Sequence, residues 1–368
     1  MGGLWGLLVG VGIVSFSTLA WGQASEANYE VILVENPTYR PNELFLSQED
    51  ISSPRFEQVR TLYKLREVLA GEEDELKCIL LLRHWVHNRL VVDQKKPAPT
   101  GDALVYLAEG PKGGAYHCGH HMVAENAVLN AMGYVARCLN AGPGGKEPPL
   151  TGHHGMCEVW VNQLCKWVVV DSEHDAHFEK AGVPLSALEI RDEVIRNGGT
   201  DVVRVDGPDR VPQPRERDES WGRTPRTYNF VSWFLQGDIH SGTHPRSSAE
   251  VVLDDEYWRT HTWYRDGKKH WAYEAGYFLP VRHRDWIEWT PNVLQVKTTI
   301  EGDRAQVQIN SATPNFKEYQ IKEVGGEWER VEEPLTLELA GEGGEWWLRA
   351  VNVAGVCGPE YHLLIKRK

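Results

Sequence analysis

Apolar side chains recur at helical spacing in the first quarter of the chain. Ser53-Pro54 is a typical helix start, an N-cap followed by proline in the first turn. The pattern predicts a helix from Phe56 to Leu69 that Gly71 closes. The acids Glu72-Glu73-Asp74 then favour the start of a second helix, which runs to about Leu90. This part of the chain is therefore predicted to be helical.

A third helix is predicted from Gly119 to Met132, where apolar residues again recur at helical spacing and give an amphipathic pattern. Gly133 follows as a typical residue after a helix end, and Tyr134 to Leu139 is typical of a strand. The preceding segment, Asp93 to Gly114, is rich in Pro, Gly and Lys and is predicted to be a loop that shapes a groove beside the helix.

Two runs rich in Val and Trp, His154 to Val161 and Leu164 to Asp171, predict a β-hairpin. With Asn162-Gln163 as a two-residue turn, the register places His154 directly opposite Asp171 on one face. Cross-strand Cβ atoms lie about 4.5–5.5 Å apart, within reach of an imidazole–carboxylate hydrogen bond. Asp171 would then fix the tautomer of the histidine, as the third member of a catalytic triad does.

Cys118 lies directly before the third helix, in the segment Gly113-Gly114-Ala115-Tyr116-His117-Cys118. A thiol in the first turn of a helix lies at the positive end of the helix dipole, which favours the thiolate. Neighbouring backbone N–H groups can contribute to an oxyanion hole. Cys118, His154 and Asp171 together indicate acyl transfer through a thioester.

These residues resemble the transglutaminase-like superfamily of papain-type cysteine enzymes. The likeness rests on the order Cys118–helix–Gly-Tyr-Val-Ala-Arg, then His154-x-x-x-Glu-Val-Trp, then Trp-Val-Val-Val-Asp171, and covers roughly residues 56–192. The upstream Trp85-Val86-His87-Asn88 resembles the helix that precedes the nucleophile in that family. The resemblance implies that Cys118 is the nucleophile, His154 the general base and acid, and Asp171 the orienting carboxylate. Met156 stands where the family often has Trp, and the histidines around Cys118 are also unusual.

The rest of the chain predicts β structure. Residues 197–226 are rich in Gly and Pro and indicate a loop or linker, and residues 221–289 hold seven of the fifteen tryptophans. These tryptophans indicate either a packing layer or an aromatic platform for sugars or peptides. Short alternating runs from about residue 292 predict a C-terminal β-sandwich, and Arg349 to Gly355 resembles the penultimate strand and turn of fibronectin type III modules.

The predicted fold class is therefore α+β, with a papain/transglutaminase-like core in which the helix carrying the cysteine packs on an antiparallel sheet. A β-rich extension and a C-terminal β-sandwich follow. The predicted divisions are 1–24, a signal peptide; 25–200, the catalytic domain; 201–290, the aromatic-rich extension or linker; and 291–368, the sandwich.

Composition narrows the function further. The chain has 41% hydrophobic residues, as an ordinary globular protein does, and a net charge of −13 without a dense Lys/Arg cluster. This argues against a nucleic-acid partner. The apolar, uncharged run from Leu4 to Trp21, followed by Gly22-Gln23-Ala24, predicts a cleaved secretory signal and hence a secreted or periplasmic protein. The alternative is an uncleaved membrane anchor, because no Lys or Arg precedes the run.

The six cysteines leave the disulfide pattern open. A free Cys118 leaves five others, so at least one more is unpaired, and Cys157 and Cys165 are not expected to pair. A second possibility for the histidine-rich region is a zinc site. The candidates are His117, His120, His121, His153 and His154. Adjacent helical side chains point in different directions, so neither a metal nor another cofactor is expected.

The sequence thus predicts a secreted cysteine enzyme that acts on peptide or glycopeptide amides, with hydrolysis favoured over transfer to an amine. No calcium-loop motif or other mark of a lysine-accepting tunnel is present in the sequence. Glu158 is expected either to support the site or to form a structural salt bridge, and His174, Asp175 and His177 to form a polar loop at the cleft rim. Two alternatives stay open: a non-catalytic binding or scaffold protein on the same fold, and a zinc-dependent hydrolase.

Overall fold

A computed structural model describes residues 28–45, 47–142, 154–214, 224–236, 249–261, 264–265, 268–269 and 278–368. The signal-peptide prediction lies outside these ranges. Within them the helices are α1 (Pro54–Leu62), α2 (Leu65–Leu69), α3 (Glu75–Arg89), α4 (Ala103–Glu109), α5 (Cys118–Ala131), α6 (Ala187–Asn197), α7 (Glu256–His261) and α8 (Arg284–Ile287).

The strands in the same ranges form several sheets, and nearly all pairings are antiparallel. They are β1 (Tyr29–Ile32), β2 (Ala136–Gly142), β3 (His154–Val161), β4 (Lys166–Val170), β5 (Ala176–Lys180), β6 (Val183–Pro184), β7 (Val203–Asp206), β8 (Val211–Pro212), β9 (Phe230–Phe234), β10 (Glu250–Leu253), β11 (Tyr264–Arg265), β12 (Lys268–Lys269), β13 (Phe278–Val281), β14 (Leu294–Glu301), β15 (Arg304–Ser311), β16 (Phe316–Glu323), β17 (Glu329–Val331), β18 (Leu335–Glu338), β19 (Gly343–Asn352) and β20 (Tyr361–Arg367). The mixed α+β class predicted from the sequence is confirmed.

The main sheet has the order β13-β10-β9-β2-β3-β4. Only the β10–β13 pair in it is parallel. One face of this sheet packs against α5, and Val128 of the helix and Val159 of β3 belong to the same buried cluster. The helix that begins with Cys118 therefore lies directly on the strand that begins with His154.

The prediction that α5 is amphipathic is wrong. Its residues from His121 to Ala131 are all buried. The helices α1, α3 and α4 contact it as well as β2 and β3, so its polar face meets protein and not solvent. Its polar groups then need internal partners: Asn130 Nδ2 donates to the Asn126 backbone carbonyl and side-chain oxygen at 2.8 and 2.7 Å.

The helical pattern upstream is largely confirmed. Asp74 caps α3 by accepting from the Lys77 N–H at 2.7 Å. The single helix predicted from Phe56 to Leu69 is broken, because Lys64 adopts a left-handed conformation with φ 50° between α1 and α2. The segment predicted as a loop before Cys118 contains α4, which Asp102 caps.

Residues from the predicted extension complete the main sheet. The strand β9 pairs with β2, with Leu139 opposite Trp233. Of the tryptophans in 221–289, Trp233, Trp258 and Trp289 are buried, as in the packing-layer alternative, whereas Trp286 is 37% exposed. Trp221, Trp263 and Trp271 lie outside the described residues. The segment 197–226, predicted as a loop, contains the short strands β7 and β8, and β7 pairs with β5.

The C-terminal runs predicted as strands are confirmed as β15, β18 and β19. They belong to two sheets, β14-β15-β18 and β1-β20-β19-β16-β17, whose apolar side chains share one buried cluster. The N-terminal strand β1 pairs with β20, with Val31 opposite Ile365. The C-terminal part therefore holds its own hydrophobic core.

No disulfide joins any of the six cysteines, all of which lie in the described ranges. Cys138 and Cys157 face each other across β2 and β3 and are both buried. No helix among the described residues combines the length and apolar character that crossing a bilayer requires.

Candidate active site

Cys118 is the first residue of α5 and is half-buried. Two histidines of the unusual cluster around it cap this helix. His117 Nδ1 accepts from the Gly119 N–H at 3.3 Å, and His120 Nδ1 accepts from the His117 N–H at 3.2 Å. These bonds satisfy N–H groups that a helix start leaves unpaired.

His154 and Asp171 meet, but in a different register from the one predicted. The connection between β3 and β4 is a 3₁₀ turn at Asn162–Leu164 followed by Cys165 with φ 50°, so Val161 pairs with Lys166. The predicted two-residue turn is therefore wrong, and the strands are shifted by two residues. A shift of two keeps each side chain on its face, and His154 and Asp171 become diagonal neighbours.

The Asp171 carboxylate joins two histidines. His154 Nε2 lies 2.7 Å from Asp171 Oδ2, and His174 Nδ1 lies 2.7 Å from the same oxygen. Burial favours a neutral Asp171, but the two histidines outweigh it and hold the pKa of this carboxyl well below its ordinary range. Asp171 therefore stays ionised inside the protein.

Burial also favours a neutral His154, whose side chain is 2% exposed. The Asp171 charge and Cys118 outweigh this effect and raise the pKa of His154 to about 10. The site thus holds a protonated imidazole at neutral pH, with Nε2–H donated to Asp171. The same ring nitrogen is unavailable to other partners, which leaves Nδ1 for the thiol.

Glu173 is the third group around Nδ1 of His154. Its carboxylate oxygen Oε2 lies 3.5 Å from Nδ1, and its side chain is 27% exposed. The Cys118 sulfur, a nitrogen of His154 and a Glu173 oxygen all lie within 4.8 Å of one another. Glu173 therefore contacts the buried His154 on one side and solvent on the other.

The turn between β4 and β5 carries Asp171, Glu173 and His174 and is tied to two helices. The Ser172 N–H donates to Glu125 Oε2 of α5 at 3.0 Å, and His87 Nδ1 of α3 lies 3.0 Å from the Ser172 carbonyl oxygen. At the far end of the turn, Arg83 Nε donates to Asp175 Oδ1 at 3.0 Å. The site is held by packed helices and not by a free loop.

Two polar groups of α5 lie beneath the site with their hydrogen bonding incomplete. Neither His121 ring nitrogen has a hydrogen-bond partner among the described residues, and burial lowers the pKa of this histidine to about 3. Burial and the Asp171 charge raise the pKa of Glu125 to about 8. Both side chains are therefore neutral at pH 7, which leaves Asp171 as the buried charge facing His154.

The structure thus brings together the three predicted site residues, Cys118, His154 and Asp171. Glu158 lies apart in a structural ion pair with Arg137 at 2.6 Å. His174, Asp175 and His177 were predicted to form a polar loop at the cleft rim. His174 instead bonds to Asp171 within the turn at 171–176, and His177 is wrongly placed by that prediction, because it lies in β5 and is fully buried. Sequence reasoning missed Glu173; its place two residues after Asp171 was the only available signal.

Two sets of side chains have the composition of a metal site. One is Cys118, His154 and Glu173, and the other is His154, Asp171 and His174. Neither matches the predicted alternative of five histidines: His117 and His120 cap the helix, His121 is buried below the site, and His153 lies outside the described residues.

Known proteins add little to this geometry. No model of a known protein family matches the sequence, and no curated protein matches it. Among the solved structures that it matches is one of a candidate cysteine protease from Cytophaga hutchinsonii, with 16% identity, a TM-score of 0.26, and coverage of 32% of this chain and 37% of that one. An overlap of this size carries no argument, so the function rests on the site itself.

Proposed function

We propose that this protein is a cysteine enzyme that transfers acyl groups through a thioester on Cys118. The observation that carries the proposal is the His154 ring, which is held by Asp171 on Nε2 and has the Cys118 sulfur within 4.8 Å. A thiol, an imidazole and a buried carboxylate in this order form the triad arrangement of nucleophilic catalysis.

The chemistry follows from these positions. The Cys118 thiolate attacks the carbonyl carbon of an amide, and the carbonyl oxygen gains negative charge beside the N–H groups at the start of α5. His154 then gives its Nδ1 proton to the departing amine, and the thioester remains on Cys118. Water then loses a proton to the now neutral His154 and attacks the thioester, the bond to sulfur breaks, and the acid leaves with the Cys118 thiolate and the protonated His154 restored.

We further propose peptide or glycopeptide amides as substrates, with hydrolysis favoured over transfer to an amine. The N-terminal apolar run supports export, and the two C-terminal sheets with their shared core support a β-sandwich module of the fibronectin type III kind. For the catalytic part we propose a papain/transglutaminase-like core. Such a module would position the catalytic part and carry no chemistry of its own.

Selective alkylation tests the proposal. At mildly acidic pH, ordinary thiols are protonated and react slowly with iodoacetamide, whereas an activated thiolate reacts fast. We expect one rapid label, mapped by peptide mass to Cys118, and its loss in His154→Ala. Cys165 is an internal control, because it is more exposed than Cys118 and its sulfur donates to the Asn162 carbonyl oxygen at 3.4 Å.

Faster labelling of Cys165 than of Cys118, or equal labelling in His154→Ala, would contradict an activated thiol. The non-catalytic alternative makes that prediction, since a binding protein on this fold needs no reactive sulfur. An active thiol should also form an acyl-enzyme with an activated ester, and the mass increase should disappear in Cys118→Ala.

A further inference from the structure

Three atoms that could bind a metal ion lie together at this site. They are a sulfur, a ring nitrogen and a carboxylate oxygen, and they come from separate parts of the chain. Cys118 comes from the start of α5, His154 from the start of β3, and Glu173 from the turn after β4. Zinc binds these three atom types at neutral pH. Three protein donors leave a fourth position open, as in zinc sites that bind water or a ligand.

The separation between donors distinguishes the two candidate sets. With bonds of about 2.0–2.2 Å, tetrahedral zinc spaces a nitrogen and an oxygen ligand about 3.4 Å apart. His154 Nδ1 and Glu173 Oε2 are 3.5 Å apart, which matches this spacing. In the other set both histidine nitrogens lie 2.7 Å from Asp171 Oδ2, which is a hydrogen-bond length and too short for two ligands of one ion.

The surroundings also fit a metal-binding histidine. Such a histidine usually donates its second ring N–H to a carboxylate, which fixes the ring and strengthens the ligand. Asp171 does this for His154 at Nε2, and its other oxygen accepts from the Glu173 N–H at 2.9 Å. One carboxylate therefore orients both the imidazole and the segment that carries Glu173. The partial exposure of Glu173 gives an ion access from solvent.

We propose that Cys118, His154 and Glu173 bind one zinc ion, and that the bound ion blocks the thiol. Zinc takes the place of the proton on His154 Nδ1 and holds the Cys118 sulfur as a ligand, so the sulfur no longer attacks a carbonyl. The blocking effect rests on the proposed cysteine chemistry, whereas the zinc site itself does not.

Metal titration tests the site without any substrate. Metal-free protein should bind one Zn²⁺ by calorimetry, and Co²⁺ in its place should give a near-ultraviolet thiolate-to-metal absorption band. Cys118→Ser should abolish the band. Glu173→Gln should weaken Zn²⁺ binding by at least about tenfold, the lower end of the cost of changing even an outer partner.

Two further variants separate the alternatives. Glu345→Gln alters a histidine–carboxylate pair of the same kind, with His362 Nε2 at 2.7 Å, that belongs to neither set of possible metal ligands among the described residues, and it should leave binding unchanged. His174→Asn removes a ligand of the other set only. The proposal would be overturned if Cys118→Ser and Glu173→Gln left zinc binding intact and His174→Asn abolished it. The absence of zinc binding to the wild type would also overturn it.

The blocking effect is measured by alkylation. One equivalent of Zn²⁺ should slow iodoacetamide labelling of Cys118 at least about tenfold in the wild type, and Glu173→Gln should require more zinc for the same protection. If Zn²⁺ raises hydrolysis of an activated ester, blocking is refuted and the protein is a zinc hydrolase. If metal-free Cys118 labels slowly, the proposed thioester chemistry fails. The Co²⁺ band still shows in that case whether a metal ion binds to Cys118.

Discussion

Removing one partner of the buried Arg137–Glu158 pair should destabilise the protein strongly. Arg137 and Glu158 are 3% and 1% exposed, and two guanidinium nitrogens donate to Glu158 Oε2 at 3.0 and 2.6 Å. The pair connects β2 and β3, and Glu158 also accepts from Trp233 Nε1 and the Ala187 N–H. Four elements therefore meet at one carboxylate.

The expected magnitude follows from what each change leaves behind. Glu158→Gln removes the negative charge that compensates a buried guanidinium, which lies over the Trp167 ring and also donates to the Ile287 carbonyl. Arg137→Met leaves a carboxylate with two N–H donors. An unpaired buried charge costs about 3–5 kcal/mol of unfolding free energy. The double variant Arg137→Met/Glu158→Gln carries no unpaired charge and should cost no more than the worse single change.

Urea unfolding followed by fluorescence measures these differences, and the coupling energy from the double-mutant cycle should be about 3 kcal/mol. The matched control is the surface pair Arg304–Glu338, with side chains 64% and 69% exposed, whose coupling should stay below about 1 kcal/mol. Equal coupling in the two pairs would refute the reasoning, because burial would then not determine the value of the ion pair.

Two further changes test a buried carboxyl and a close backbone contact. Glu125 has a folded pKa of about 8 against 4.5 for a free side chain, so the folded state holds a proton that the unfolded state has lost, and stability should fall as pH rises from 4.5 to 8. In urea titrations, Glu125→Gln should match the wild type at pH 4 and exceed it by about 4 kcal/mol at pH 8; parallel pH profiles would contradict the buried carboxyl. Gly133→Ala should lose at least about 1 kcal/mol more than Gly182→Ala. Both glycines have a positive φ, 91° and 79°. A Cβ on Gly133 would lie 2.5 Å from the Ala354 Cβ, whereas a Cβ on Gly182 would have no atom within 4 Å. Equal losses of unfolding free energy in the two variants would show that the segment around Ala354 moves to accommodate the added methyl group.

The sequence by itself determined the local features of the site. Cys118 lies at the start of a helix because apolar residues recur at helical spacing after it, and this signal lies within a few turns of chain. The same holds for the C-terminal strands, whose alternation is complete within each run. The order of Cys118, His154 and Asp171 also required no knowledge of distant contacts.

Only the tertiary structure decided what surrounds these residues. The β3–β4 register depends on the left-handed conformation of Cys165, which a two-residue turn model does not contain. The burial of α5 depends on three other helices and two strands, so its polar residues gave a false amphipathic pattern. Glu173 reaches His154 only because the turn after β4 folds back beside β3. The turn conformation is local but does not show in the residue types, whereas the contacts of α5 and Glu173 join residues that are distant in sequence, about which local spacing carries no information.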